Sequence, residues 1–165
     1  SEVVTVEECA REAITLISLD KKRKDINYVV NCRQGLQILG DSQRLLQVMI
    51  NLINNAHDAS PAGSTITISS KLVSGSVQIS VTDEGTGIPE EVRDRIFEPF
   101  FTTKEPGEGT GLGLSLVYSI VENLDGHIDI INASLRRENP GTRVILTFPC
   151  YDGSASAGGA SPDAL

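Results

Sequence analysis

Ser42-Gln43-Arg44-Leu45-Leu46-Gln47-Val48-Met49-Ile50-Asn51-Leu52-Ile53-Asn54-Asn55-Ala56-His57-Asp58-Ala59 is the most informative run in the chain. Leu45, Met49, Leu52, Ala56 and Ala59 fall on one stripe of a helix, with Leu46, Ile50 and Ile53 beside it. A helix apolar over so much of its circumference must be mostly buried. One face remains, where Gln47, Asn51, Asn55 and Asp58 recur at spacings of three and four. A merely solvated face would more often carry lysine and glutamate, so this one points at something polar. The amide oxygens of asparagine suit a hard cation such as magnesium, which takes oxygen ligands and shares its shell with water and phosphates.

On either side the punctuation is clear. Gly40-Asp41 stops a strand and caps the helix, and Ser60-Pro61-Ala62-Gly63 ends it. Upstream, Thr5-Val6-Glu7-Glu8 matches a capping box after an extended Val3-Val4, opening an amphipathic helix to about Ser18. Polar residues 20–25 end it, and short strands follow near 26–32 and 36–39. Downstream, alternation over 65–72 and 76–82 around Ser74-Gly75 predicts a hairpin. Pro89 stands where the first residue of a short helix to about Ile96 would be. Residues 97–110, rich in glycine, proline and polar side chains, predict a mobile loop. Residues 112–124 are helix-periodic up to a stop at Asp125-Gly126, and strands follow at 127–132 and 143–149. This order predicts an α/β fold, a two-layer sandwich with three main helices on one face of a mixed sheet.

The 165 residues fit one domain, expected over residues 1–151. Residues 152–165 are glycine, serine and alanine with few large apolar side chains, and are expected to be a disordered tail or linker. Apolar content of 39% and charged content of 22% are those of a soluble globular protein. No run approaches membrane-spanning length and no signal stretch opens the chain, so the expected location is cytoplasmic. Cys9, Cys32 and Cys150 lack any metal or redox spacing and read as small buried hydrophobes. A formal charge of −8 argues against a general nucleic-acid binder. An anionic ligand on such a domain must rely on a metal, a helix terminus and a few local cations.

Two glycine motifs supply such a place. Asp83-Glu84-Gly85-Thr86-Gly87-Ile88-Pro89 follows a strand; Gly85 and Gly87 let the backbone come close to a ligand, and the Asp83 carboxylate can accept from an exocyclic amine, as adenine offers. Gly107-Glu108-Gly109-Thr110-Gly111-Leu112-Gly113-Leu114 runs into a helix, so its N–H groups can converge on phosphate oxygens. It is no dinucleotide fingerprint, because Leu112 and Leu114 stand where the final glycine would be, and no Gly-Lys pair permits a Walker loop. Between them, Phe97-Glu98-Pro99-Phe100-Phe101-Thr102-Thr103-Lys104 gives packing phenylalanines and, in Lys104, a point charge that could reach a terminal phosphate.

These motifs, in this order, resemble the four boxes of the catalytic and ATP-binding domain of bacterial sensor histidine kinases. Asn51-Leu52-Ile53-Asn54-Asn55-Ala56 resembles the N box, Asp83 to Pro89 the first glycine box, Phe97 to Lys104 the F box and Gly107 to Leu114 the second glycine box. Gly141-Thr142 resembles a third. The resemblance covers roughly residues 1–150 and implies the Bergerat ATP-binding fold shared with gyrase, mismatch-repair and chaperone ATPases. It further implies that Asp83 reads the adenine amine, that Ile88 lines its pocket, and that Asn51 and Asn55 hold magnesium against the phosphates. Lys104 with Gly109, Thr110, Gly111, Leu112, Gly113 and Leu114 would grip the phosphates under a closing lid of residues 102–110, with Thr142 also at the nucleotide. Asn51 occupies the position of the water-activating glutamate of the gyrase and chaperone branch, and an amide cannot take that proton. Transfer to a separate histidine, on dimerisation and phosphoacceptor helices of a parent homodimer, is therefore expected over hydrolysis, with a response regulator as indirect partner. Asp58 stands where many relatives have lysine and is placed with the nucleotide-binding residues. His57 and His127 are read as structural. An ATP sensor without transfer, and a serine kinase of the anti-sigma-factor type, would share these boxes.

Overall fold

In the computed structural model, residues 1–20, 23–98 and 113–152 are described here. The expectations for the loop beyond Glu98 and for the tail beyond Asp152 fall outside them. The chain runs β1 (Glu2–Thr5), α1 (Val6–Ile17), β2 (Asn27–Cys32), β3 (Gln37–Gly40), α2 (Ser42–Ala59), β4 (Thr65–Val73), β5 (Ser76–Thr82), a 3-10 helix (Glu90–Arg95), α3 (Gly113–Asn123), β6 (His127–Asn132) and β7 (Thr142–Pro149). Five strands form one sheet in the order β2-β4-β5-β7-β6, while β1 and β3 pair separately. The β2–β4 pair is parallel and the others antiparallel, which makes the main sheet mixed.

Alternation along the strands sets its two faces. Ile66, Ile68, Val77, Ile79, Val81, Leu146, Phe148, Ile128 and Ile130 are buried, whereas Ser69, Gln78, Ser80 and Thr147 between them are not. The helices cover the apolar face, α2 packing between α1 and α3. Of the stripe read from the sequence, Leu45, Met49, Leu52, Ile53 and Ala56 of α2 are buried together with Val48, whereas Leu46 and Ile50 are half-buried and Ala59, at the end of the helix, is exposed. Asp41 caps α2 as expected, its carboxylate accepting from Gln43 N at 3.0 Å and Arg44 N at 3.2 Å. The hairpin turns at Ser74 and Gly75, whose φ values of 51° and 81° are those of the turn that matches strand twist.

Several local expectations need correction. The Thr5 side chain makes no cap hydrogen bond to α1; it closes β1, and its hydroxyl lies 3.5 Å from Gln37 Nε2, which donates to it. Residues 90–95 form a 3-10 helix, with Pro89 ahead of it in an extended conformation rather than at its first position. The left-handed residue after α3 is Asp125, at φ 59°; Gly126 is small because a side chain there would strike the Phe148 ring. Among the cysteines only Cys9 is buried, and burial pushes its thiol up to about 12, while Cys32 and Cys150 are half-buried at the core's edge.

Candidate nucleotide site

The end of β5, the start of β7 and the end of α2 come together around the first glycine motif. β5 delivers Asp83 immediately after its last residue, in the position that β7 opens opposite. Asp83 N donates to Thr142 O at 2.9 Å, and Asp83 Oδ1 accepts from Thr142 N at 3.0 Å and from Gly85 N at 2.9 Å. Both side-chain bonds fall on Oδ1, and among the described residues none falls on Oδ2. Asp83 is 6% exposed, and burial raises its pKa above the usual aspartate value against the lowering effect of the Gly85 and Thr142 amides.

The glycines are required by contact. A Cβ on Gly85 would collide with the Ala59 carbonyl at the end of α2, which presses the loop after β5 against that helix. Gly87 has φ 80°, and a Cβ there would stand 2.7 Å from Pro140 Cγ and 2.8 Å from Asn132 Oδ1. Gly141, at φ 76°, lies against the Asp83 carbonyl, and its N–H donates to Gly85 O at 2.9 Å. Ile88 is half-buried against the core.

From α2, Asn51 and Asn55 lie one turn apart and are half-buried. A Cβ on Gly113, the first residue of α3, would stand 4.0 Å from Asn55 Nδ2, so the second glycine motif ends beside the polar face of α2. Leu114 is half-buried against the core. Asn54 Oδ1 is buried and has no hydrogen-bond partner among the described residues. Among the described residues no group of three or more histidine, cysteine, aspartate and glutamate side chains could hold a metal ion.

Asp58 lies in the last turn of α2, its side chain 46% exposed, with Oδ1 3.8 Å from His57 Nδ1 and its carbonyl accepting from Lys24 Nζ at 3.3 Å. His57 is 6% exposed, and its Nε2 lies 3.3 Å from the Lys24 carbonyl. Burial holds the imidazole below the usual histidine range, against the raising effect of that carbonyl. It is a packed structural residue, as read. His127 also begins a strand as read, but it is exposed on an edge strand of the sheet. Phe97 packs on Tyr118 with ring centroids 5.2 Å apart. Lys104, Gly109, Thr110, Gly111 and Leu112 lie outside the described residues.

Sequence reasoning missed Asn132. The Asn132 side chain accepts from Ile88 N at 3.0 Å across a separation of 44 residues. No local spacing reports that pairing.

Over residues 40–152 the chain matches the family described as histidine kinase-, DNA gyrase B- and HSP90-like ATPases. It is 44% identical over 117 residues to sporulation kinase A of Bacillus subtilis, a match covering 71% of this chain but 18% of that protein's length. The mycobacterial sensor histidine kinase MprB superposes with a TM-score of 0.80 at 29% identity, covering 90% of this chain and 97% of that one. The histidine kinase ThkA, in a crystal structure with the response regulator TrrA, superposes with a TM-score of 0.73 at 32% identity over 91% of this chain and 42% of that one. The chain belongs to the histidine kinase-, DNA gyrase B- and HSP90-like ATPase family, as the ATP-binding domain of a bacterial sensor histidine kinase.

Proposed function

We propose that this domain binds ATP with magnesium and donates the γ-phosphate to a histidine on a separate dimerisation and phosphoacceptor domain, in two-component signal transduction. The observation that carries the reading is Asp83, a buried carboxylate whose Oδ1 is fixed by two backbone amides while Oδ2 remains for the adenine amine. Ile88 would pack against the ring, and Gly85, Gly87 and Thr142 would bound the base pocket. Asn51 and Asn55 would hold magnesium, which supplies charge neutralisation at the phosphates, and Asp58 would border that region. The loop residues Lys104, Gly109, Thr110, Gly111 and Leu112, with Gly113 and Leu114, would hold the phosphates at the start of α3.

In the transfer, the acceptor imidazole nitrogen forms a bond to the γ-phosphorus as the bond to the β-bridging oxygen breaks, and ADP leaves. The protein's part is positioning and charge stabilisation. Asn51 cannot accept a proton from water, which disfavours hydrolysis. Neither histidine of the chain suits the acceptor role. His57 is sealed in α2, and His127 begins β6 about 17 Å of strand from Asn132, the end of β6 that touches the first glycine motif.

The reading extends to domain limits of 1–151 with a linker at 152–165, a parent homodimer that passes phosphate to a response regulator, and a cytoplasmic location. Among the described residues no helix is long and apolar enough to cross a membrane. ThkA, 32% identical, has been crystallised with a response regulator, which supports the partner class. The test is radiolabelled ATP with this chain alone and with the parent's phosphoacceptor domain added. Acid-labile label on the added domain alone is expected; label on the isolated chain would overturn the assignment of donor and acceptor.

A further inference from the structure

We propose that Asn132 is a positioning residue of the nucleotide site, its side-chain carbonyl holding the Gly87–Ile88 peptide so that Ile88 is presented to the adenine ring. The inference rests on the adenine assignment made above for Asp83 and Ile88.

Four hydrogen bonds tie the loop after β5 to the end of β6, the start of β7 and the connection between them. Three are made around Gly141-Thr142: Asp83 N to Thr142 O at 2.9 Å, Gly141 N to Gly85 O at 2.9 Å and Thr142 N to Asp83 Oδ1 at 3.0 Å. They fix the first half of the glycine motif. The second half, Gly87-Ile88, turns away at φ 80° and is held by the Asn132 side chain, Oδ1 accepting from Ile88 N at 3.0 Å. The same oxygen stands 2.8 Å from where a Gly87 Cβ would be, so the glycine is what admits it. Asn132 is itself the last residue of β6, paired with Thr142 of β7, and is anchored on the strand that also positions the Asp83 partner. One rigid strand pair thus sets both the group that reads the amine and the residue that flanks the base. Removing the Asn132 acceptor would free the Ile88 peptide to reorient, and the nucleotide would then have to order it on binding.

The experiment compares this chain with Asn132→Ala, Asn132→Asp and Asp83→Asn. Calorimetry with ATP and with ADP is combined with hydrogen exchange at the Ile88 amide. Asn132→Ala is expected to weaken ATP and ADP by the same factor, about 3- to 10-fold, the worth of one hydrogen bond. Exchange at the Ile88 amide should accelerate while the melting temperature stays within about 2 °C, as for a surface substitution. Asn132→Asp keeps an acceptor at the same reach and should restore both affinity and amide protection. A merely structural residue would not link nucleotide affinity to that one amide. Unchanged affinity in Asn132→Ala, with binding lost in Asp83→Asn, would overturn the role of Asn132 alone. An Asn132→Asp variant as weak as Asn132→Ala would also overturn it. Unchanged affinity in Asp83→Asn would remove the adenine assignment and this inference with it.

Discussion

Asp83 carries two duties that one substitution can separate. Its Oδ1 satisfies the amides of Gly85 and Thr142, while Oδ2 is the group proposed to face adenine. Burial raises its folded-state pKa, so its contribution to stability is fully present below the ordinary aspartate pKa and is lost as the pH rises through the raised value. At neutral pH the ionised carboxylate therefore weighs against the fold. Asp83→Asn keeps the Oδ1 acceptor, removes the charge and turns an amide N–H₂ toward the base amine. It should melt at pH 7 no lower than the parent chain, yet lose about 1.5–3 kcal/mol of ATP binding, roughly 10- to 150-fold. Parallel thermal melts and titrations check both halves. Asp83 was readable in one dimension because it is a carboxylate at a strand end before glycines. Asn132 was not, because its partner Ile88 is met only after the chain has folded.

Helix α2 was the element most completely readable from its own residues, since its apolar stripe, its Asp41 cap and its amide face are all local patterns. Truncating the cap in Asp41→Ala should cost about 1 kcal/mol and lower the melting temperature by a few degrees, read by denaturant titration and thermal melts. The end of α2 is equally exacting. Gly85→Ala would drive a Cβ into the Ala59 carbonyl, a backbone atom that cannot swing aside, and should destabilise by about 1–3 kcal/mol while weakening nucleotide binding. Less of the region after β5 could be read locally. A proline before acidic residues predicts a helix start, but the segment settles as a 3-10 turn with Pro89 outside it. The Thr5 cap failed for a related reason: once β1 pairs with β3, its hydroxyl lies against Gln37.

For the molecule as a whole, the sandwich followed from the order of periodic segments, while the strand order β2-β4-β5-β7-β6 did not. Pairing of β2 with β4 across α2, and of β5 with β7 across α3, is a matter of which apolar faces the helices must cover. That crossover brings Asp83 to Thr142 and sets the glycine motif against the end of α2, so topology assembles a site whose parts lie far apart in the chain. The formal charge of −8 then shapes its ligand chemistry. A polyanion approaching an acidic domain is repelled unless a cation intervenes, and the amides of Asn51 and Asn55 are the groups proposed to hold one. The most direct test of the central claim is calorimetric titration of this chain with ATP in magnesium, repeated in excess chelator and with GTP. One ATP per chain, bound much more weakly without magnesium and replaced poorly by GTP, is the predicted result. Absence of ATP binding, or equal affinity for ATP and GTP, would contradict the account.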